Sequence, residues 1–116
     1  MKSLIKYSLE AKTNYISNIS DIKNIINKYP QVIIKFYAKW CGPCQRVKSH
    51  YTQLASEYLK VEFKEVDIDQ VKDAKHEFKF KTIPHFKYYS KGKLKGELSN
   101  SNEKVLKNFI KEHLEP

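Results

Sequence analysis

The sequence predicts an α/β fold in which one mixed β-sheet carries helices on both faces. Two observations lead to this prediction. The apolar, β-branched run from Gln31 to Ala38 is typical of a strand buried on both faces. Segments with apolar residues at helical spacing alternate with strand-like runs along the rest of the chain. Because 116 residues is the size of one domain, we treat residues 1–116 as a single domain, with about 1–12 as a weakly patterned N-terminal extension.

The predicted elements follow the order β-α-β-α-β-α-β-β-α. A short strand at Asn14 to Ser17 comes first, and a helix capped by Ser20 or Asp21 follows it, with Pro30 beyond its end. The later elements are a strand at Gln31 to Ala38, a helix from Pro43 to about Leu59, a strand at Val61 to Asp67, a short helix near Val71 to Phe78, strands at His85 to Tyr89 and Leu94 to Leu98, and a last helix with Val105, Leu106, Phe109, Ile110 and Leu114 on its apolar face. Such alternation places helices on both faces of the sheet.

Two local signals mark boundaries near the end of the chain. The segment Ser90 to Lys93 contains Gly92, which supplies the positive φ that a tight hairpin turn demands. Asn100 and Glu103 have the spacing of a capping box at the start of the last helix.

The charge of the chain bears on its partners. A net charge of +9 would suit a nucleic-acid partner, but nearly all the positive charge is lysine, and Arg46 is the one arginine. Bidentate recognition of phosphates and bases favours arginine. The composition therefore favours a solvated, lysine-rich surface, and we expect no nucleic-acid partner.

The sequence also bears on location. No apolar run approaches the ~20 residues of a membrane span, and the segment Met1 to Lys12 lacks the continuous hydrophobic stretch of a signal peptide. We expect no membrane partner and a cytoplasmic location. Because thiols are kept reduced there, a close cysteine pair is more often catalytic or metal-binding than structural.

The two cysteines stand in the motif Trp40-Cys41-Gly42-Pro43-Cys44, directly after the buried strand. The start of a helix lowers the pKa of a thiol, because free backbone N–H groups and the helix dipole stabilise the thiolate. Pro43 suits the first helical turn, since it has no N–H to lose. We expect Cys41 to be exposed and to attack a substrate disulfide. Cys44, one turn inside and shielded, would then resolve the mixed disulfide.

A zinc site is the alternative chemistry for these cysteines. His50, His76 or His85 would have to complete it. Structural zinc sites have a second ligand pair at matching spacing, and this sequence has none. We therefore expect no metal.

The sequence resembles the thioredoxin family. The segments that carry the resemblance are Val32 to Ala38, Trp40 to Cys44, Val66 to Gln70, Ile83-Pro84 and Lys91-Gly92. The resemblance implies the thioredoxin fold and an enzyme that reduces protein disulfides through a Cys41/Cys44 dithiol–disulfide cycle. It also implies that Pro84 is cis and lies against the cysteines, that the backbone of Ile83 pairs with an extended substrate segment, and that Trp40 lines the same groove.

The same resemblance implies partners and leaves alternatives open. It implies disulfide-containing protein substrates, a thioredoxin reductase as electron donor, a monomer and no organic cofactor. The Gly-Pro pair between the cysteines favours a reductant. One alternative is a more oxidising oxidase or isomerase of the same fold. The other is a binding module in which the thiols are incidental.

This chain departs from the family pattern beside the cysteines. Lys35 stands where a buried Asp is usual, and Glu65 stands where its Lys partner is usual. Two arrangements are open: an ion pair of reversed polarity between Lys35 and Glu65, or a Lys35 side chain that extends to solvent with its amine far from the thiols. An ammonium near Cys44 would stabilise thiolates and make the protein more oxidising. The threonine usual after the proline is His85. These departures leave substrate choice and redox potential open.

Overall fold

The computed structural model describes residues 16–115. The elements of this range are α1 (Ile19–Lys28), β1 (Gln31–Tyr37), α2 (Gly42–Glu57), β2 (Glu62–Asp67), α3 (Ala74–Phe78), β3 (His85–Ser90), β4 (Lys93–Ser99) and α4 (Glu103–His113). Asn14 and Tyr15 of the first predicted strand, and the extension at about 1–12, lie outside the described residues. Ile16 and Ser17, which complete that predicted strand, belong to no strand.

The four strands form one mixed sheet in the order β2-β1-β3-β4. β1 runs parallel to β2 and antiparallel to β3, and β3 pairs antiparallel with β4. β1 is hydrogen-bonded along both edges, and a hydrophobic core packs against each of its faces, so residues 32–36 are all buried. The predicted mixed sheet is confirmed.

Side-chain alternation along β1 divides the interior into two cores. Val32, Ile34 and Phe36 face α1 and α3, while Ile33 and Lys35 point to the opposite face. The first core also contains Ile22, Ile26, Val66, Val71, Ala74 and Phe80. The second contains Val47, Tyr51, Leu54, Phe86, Leu106, Phe109 and Ile110, from α2, α4 and β3. Helices therefore cover both faces, as predicted.

The predicted cap of the first helix is wrong. Asn18 caps α1, and its Oδ1 accepts a hydrogen bond from the N–H of Asp21 at 2.8 Å. Ser20 and Asp21, the predicted caps, lie inside the first turn. Asp21 still contributes there, because a carboxylate is favourable near the positive end of the helix dipole.

The predicted cap of the last helix is also wrong. Asn102 caps α4, and its Oδ1 accepts from the N–H groups of Lys104 and Val105 at 2.9 and 3.1 Å. Asn100 instead accepts from the N–H of Asn102 at 2.8 Å, so it shapes the turn before the helix. Several asparagines and serines in a row offer competing caps, and backbone geometry decides between them.

The hairpin between β3 and β4 is confirmed. Lys91 and Gly92 have φ values of 53° and 79°, the left-handed conformation that a two-residue hairpin turn requires. The N–H of Lys91 donates to the carbonyl of Pro30 at 2.8 Å, which ties the turn to the start of β1. Among the helices of residues 16–115, none has the length and apolar character needed to cross a membrane.

Candidate active site

A disulfide joins Cys41 and Cys44 where α2 begins, with the two Cα atoms 5.3 Å apart. Cys41 is the N-cap of α2, and its Sγ accepts from the N–H of Cys44 at 3.2 Å. Pro43 occupies the first turn, as expected from its missing N–H. Gly42 is exposed, and apart from its chain neighbours and the backbone of its own helix no atom lies within 4 Å of the place where its Cβ would be. The sulfur of Cys41 therefore lies at the positive end of a helix dipole.

The burial of the pair differs from the expectation. Cys41 is 5% exposed and Cys44 is 1% exposed, so the prediction of an exposed Cys41 is wrong for this disulfide form. Ala38 belongs to the same buried cluster, and Ile83 packs against it. Cys41 is therefore buried by residues outside the motif, Ala38 and Ile83. The spacing of the two cysteines does not reveal these contacts.

The segment before β3 lies against the disulfide. The Ile83–Pro84 peptide bond is cis. The carbonyl oxygen of Ile83 lies 3.9 Å from Sγ of Cys41, and Pro84 is buried. Residues that are 42 positions apart in the chain thus meet at one sulfur atom.

Trp40 is held at one end and exposed elsewhere. Its side chain is 71% accessible to solvent, and its Nε1 donates to Oδ2 of Asp69 at 2.9 Å. The N–H of Asp69 donates to Oδ1 of Asp67 at 2.9 Å, which fixes the carboxylate-bearing turn. Asp69 belongs to the segment Val66 to Gln70, which carries the family resemblance, but the sequence alone assigns it no role. The sequence does carry a signal for this contact. Trp40 follows β1, and the acidic turn with Asp67 and Asp69 follows β2, the strand that pairs with β1.

Lys35 and Glu65 meet across the β1–β2 pair. They are register partners, and Nζ of Lys35 lies 2.7 Å from Oε1 of Glu65. The Lys35 side chain is 2% exposed, against 31% for Glu65. The alternative in which Lys35 extends to solvent is therefore wrong. The ammonium also lies 5.2 Å from the ring centroids of Tyr37 and Tyr51, a distance at which aromatic rings attract cations.

Tyr51 connects this ion pair with the second core. Its hydroxyl lies 2.7 Å from the carbonyl oxygen of Lys64 and 3.0 Å from that of Ile33. Burial, together with the negative charge of Glu65, raises the pKa of Tyr51 well above its ordinary value. Tyr51 therefore stays neutral, and its hydroxyl is a fixed hydrogen-bonding group, while its ring lies next to the Lys35 ammonium.

A cleft of about 320 Å³ opens beside Cys44. Its lining consists of Lys35, Tyr37, Lys39, Cys44, Gln45, Lys48 and Glu65. Cys44, the resolving thiol predicted from the sequence, and the Lys35–Glu65 pair thus line the same cleft. A charge on either side chain acts on a thiolate at Cys44 across this cleft.

Of the three histidines considered as zinc ligands, His50 and His85 contact carboxylates, and His76 is exposed. His50 pairs with Glu103 at 3.0 Å, and Nε2 of His85 lies 3.1 Å from Oε1 of Glu97. Across residues 16–115, no three side chains of the types that bind metals gather closely enough to hold an ion.

Comparison with known proteins identifies the relatives of this chain. The thioredoxin family model matches residues 11–112. The chain belongs to the thioredoxin family. It is 30% identical to the mitochondrial thioredoxin-3 of Saccharomyces cerevisiae over 112 residues, which cover 97% of this chain and 88% of that protein. It is 38% identical to Homo sapiens thioredoxin over 81 residues, 70% of this chain and 77% of that one.

Solved thioredoxin structures agree with the fold. The oxidised form of Saccharomyces cerevisiae mitochondrial thioredoxin 3 superimposes with a TM-score of 0.81 at 30% identity, covering 89% of this chain and 97% of that chain. Plasmodium falciparum thioredoxin gives 0.80 at 31% identity, covering 84% and 96%. With the thioredoxin fold and the Cys41–Cys44 pair, the protein is a thiol–disulfide oxidoreductase.

Proposed function

We propose that the protein reduces disulfides of other proteins, with Cys41 as nucleophile and Cys44 as resolving thiol. The position of Cys41 carries the assignment. Its Sγ lies at the N-terminus of α2, where N–H groups stabilise a thiolate, and 3.9 Å from the carbonyl oxygen of Ile83. Cys44 lies a turn further into the helix and is the more buried of the two.

The reaction runs in two exchange steps. The Cys41 thiolate attacks one sulfur of the substrate disulfide, that S–S bond breaks, and the departing substrate thiolate takes up a proton. The Cys44 thiolate then attacks Sγ of Cys41 and releases the second substrate thiol. The substrate gains two electrons and two protons, and the Cys41–Cys44 dithiol loses them to form the disulfide.

The backbone beside the disulfide supports an extended protein substrate. Ile83 precedes β3 and lies outside the β1–β3 register, and its carbonyl oxygen lies 3.9 Å from Sγ of Cys41. A substrate segment that pairs there brings its sulfur to Cys41. Trp40, which is 71% exposed, supplies an apolar surface on the same side of the motif.

The finer properties of the enzyme form part of the same proposal. The Gly-Pro pair between the cysteines supports a reductant rather than an oxidase or isomerase, and a reductant needs a donor that returns two electrons. We assign that role to a thioredoxin reductase. The protein acts as a monomer in the cytoplasm, without a nucleic-acid, membrane or metal partner. Fractionation of cells that express the tagged chain tests its location, and light scattering tests the monomer.

A pair of cysteine variants tests the reaction. Wild-type protein should reduce insulin in the presence of dithiothreitol, Cys41→Ser should be inactive, and Cys44→Ser should stall after the first step. In the reduced protein, iodoacetamide at neutral pH should modify Cys41 much faster than Cys44, because only Cys41 lies at the helix terminus. Equal modification of the two thiols, or an active Cys41→Ser variant, would contradict the assignment. Retention of full biological function by the double Cys→Ser variant would favour the binding module.

A further inference from the structure

The loop that presents Ile83 and Pro84 is closed at its base by two aromatic rings. Phe80 precedes the loop of residues 81–84 and His85 follows it, and both are buried. Their rings stack, with centroids 4.9 Å apart and planes 8° from parallel. Phe36 packs on Phe80 from β1 at a centroid distance of 4.5 Å. The two ends of the loop are therefore held together and fixed to the central strand.

Hydrogen bonds fix the orientation of the His85 ring. Nε2 lies 3.1 Å from Oε1 of Glu97, and Nδ1 contacts Oγ of Ser99. The same Glu97 oxygen accepts from Nζ of Lys87 at 2.7 Å, so it is an ionised acceptor, and Nε2 must carry the hydrogen. Nδ1 is then unprotonated and accepts a hydrogen bond from the hydroxyl of Ser99. A neutral imidazole satisfies every partner.

None of these His85 contacts involves a cysteine, yet His85 directly follows the loop that approaches Cys41. His85 pairs with Phe36 and Ser99 in the register of the sheet, so the start of β3 is fixed on both sides. The next backbone group before Pro84 is the Ile83 carbonyl, 3.9 Å from Sγ of Cys41. Only Pro84 separates His85 from Ile83, so a shift of His85 would also displace the Ile83 carbonyl.

We propose that His85 is a positioning residue that fixes the 81–84 loop and thereby sets the affinity for extended protein substrates. The inference rests on the proposed reduction of protein disulfides and deepens it. A substrate segment that pairs with Ile83 needs the loop backbone at a fixed place, because binding otherwise has to order it first. A small disulfide that reacts only at Cys41 has no such need.

The test compares two substrates in the full-length protein. His85→Ala should raise the KM for insulin by about fivefold, the loss expected for one ordering contact, and leave kcat within about twofold. The rate with 2-hydroxyethyl disulfide, a small neutral substrate, should change by less than about twofold. His50→Ala is the matched control, since it removes a histidine paired with a glutamate outside the loop, and it should alter neither substrate.

Two further variants keep the inference testable if alanine disrupts folding. His85→Phe keeps a ring to stack on Phe80 but loses both hydrogen bonds, and Ser99→Ala removes one hydrogen bond and leaves the stack. Both should raise the KM for insulin by about twofold to threefold. An unchanged KM in every variant, or parallel losses with both substrates, would overturn the inference. If the wild type fails to reduce insulin, the proposed function fails instead.

Discussion

Removing the acidic partner of the buried Lys35–Glu65 pair should cost more stability than removing the basic one. In Glu65→Leu the Lys35 ammonium, 2% exposed, is left without its carboxylate. Breaking a buried pair in this way costs ~3 to 5 kcal/mol, and we expect about 3 kcal/mol because the rings of Tyr37 and Tyr51 still attract the cation. In Lys35→Met the carboxylate that remains is 31% exposed and can be hydrated. That change should cost less than ~1 kcal/mol.

Urea unfolding of the oxidised protein measures both effects. With a slope of ~1.5 kcal/mol per M, Glu65→Leu should lower the midpoint by about 2 M. The double variant should be about as stable as Lys35→Met alone, which gives a coupling free energy of ~2 to 3 kcal/mol. Lys23 and Glu77 form the matched control, since they pair at 3.2 Å with side chains 54% and 45% exposed. Lys23→Met and Glu77→Leu should couple by less than ~1 kcal/mol.

Two results would refute this reasoning. If Glu65→Leu lowers the free energy of unfolding no more than Glu77→Leu does, the Lys35 ammonium is hydrated through the cleft and its burial has no energetic consequence. If the two substitutions at Lys35 and Glu65 are additive, the 2.7 Å contact contributes nothing to folding.

Two other measurements test the electrostatics around the site. Because the Lys35 ammonium faces the Cys44 cleft and favours thiolates, Lys35→Met should make the protein more reducing, on the order of 20 mV against glutathione, while Lys23→Met should not. An unchanged potential would confine Lys35 to a structural role. Burial and then the positive charge of Lys87 lower the pKa of His85 from its ordinary 6.5. The unfolded chain therefore binds a proton below about pH 6.5 that the folded protein resists, so the free energy of unfolding should fall between about pH 7 and 5. His85→Gln should flatten that slope, and an identical slope in the variant would contradict the assignment.

The order of elements from β1 onward could be predicted because each has a strong local signal. The run before Trp40 is apolar and β-branched throughout, and Gly92 sits where a left-handed turn is needed. The caps at Asn18 and Asn102 could not, because Ser20, Asp21 and Asn100 offer equivalent side chains. The choice depends on which oxygen reaches a free N–H, and that is set by backbone angles.

The cysteine motif could be recognised from spacing, but its surroundings depend on contacts between distant segments. The sequence leaves open whether Lys35 pairs with Glu65 or extends to solvent. The β1–β2 register decides this, because it places the two residues opposite each other. The stack of Phe80 on His85 and the burial of Cys41 under Ile83 follow from how the loop before β3 folds back. Neither leaves a periodic or spacing signal in the sequence.

The central claim is that Cys41 attacks the substrate disulfide and Cys44 releases the product. Trapping the intermediate tests it most directly. Cys44→Ser protein, incubated in reduced form with an oxidised protein substrate, should accumulate a covalent complex, and mass spectrometry of its peptides should place the linkage on Cys41. Cys41→Ser, treated alike, should form little complex. A linkage that forms as readily on Cys44 in Cys41→Ser, or no complex with either variant, would contradict the account.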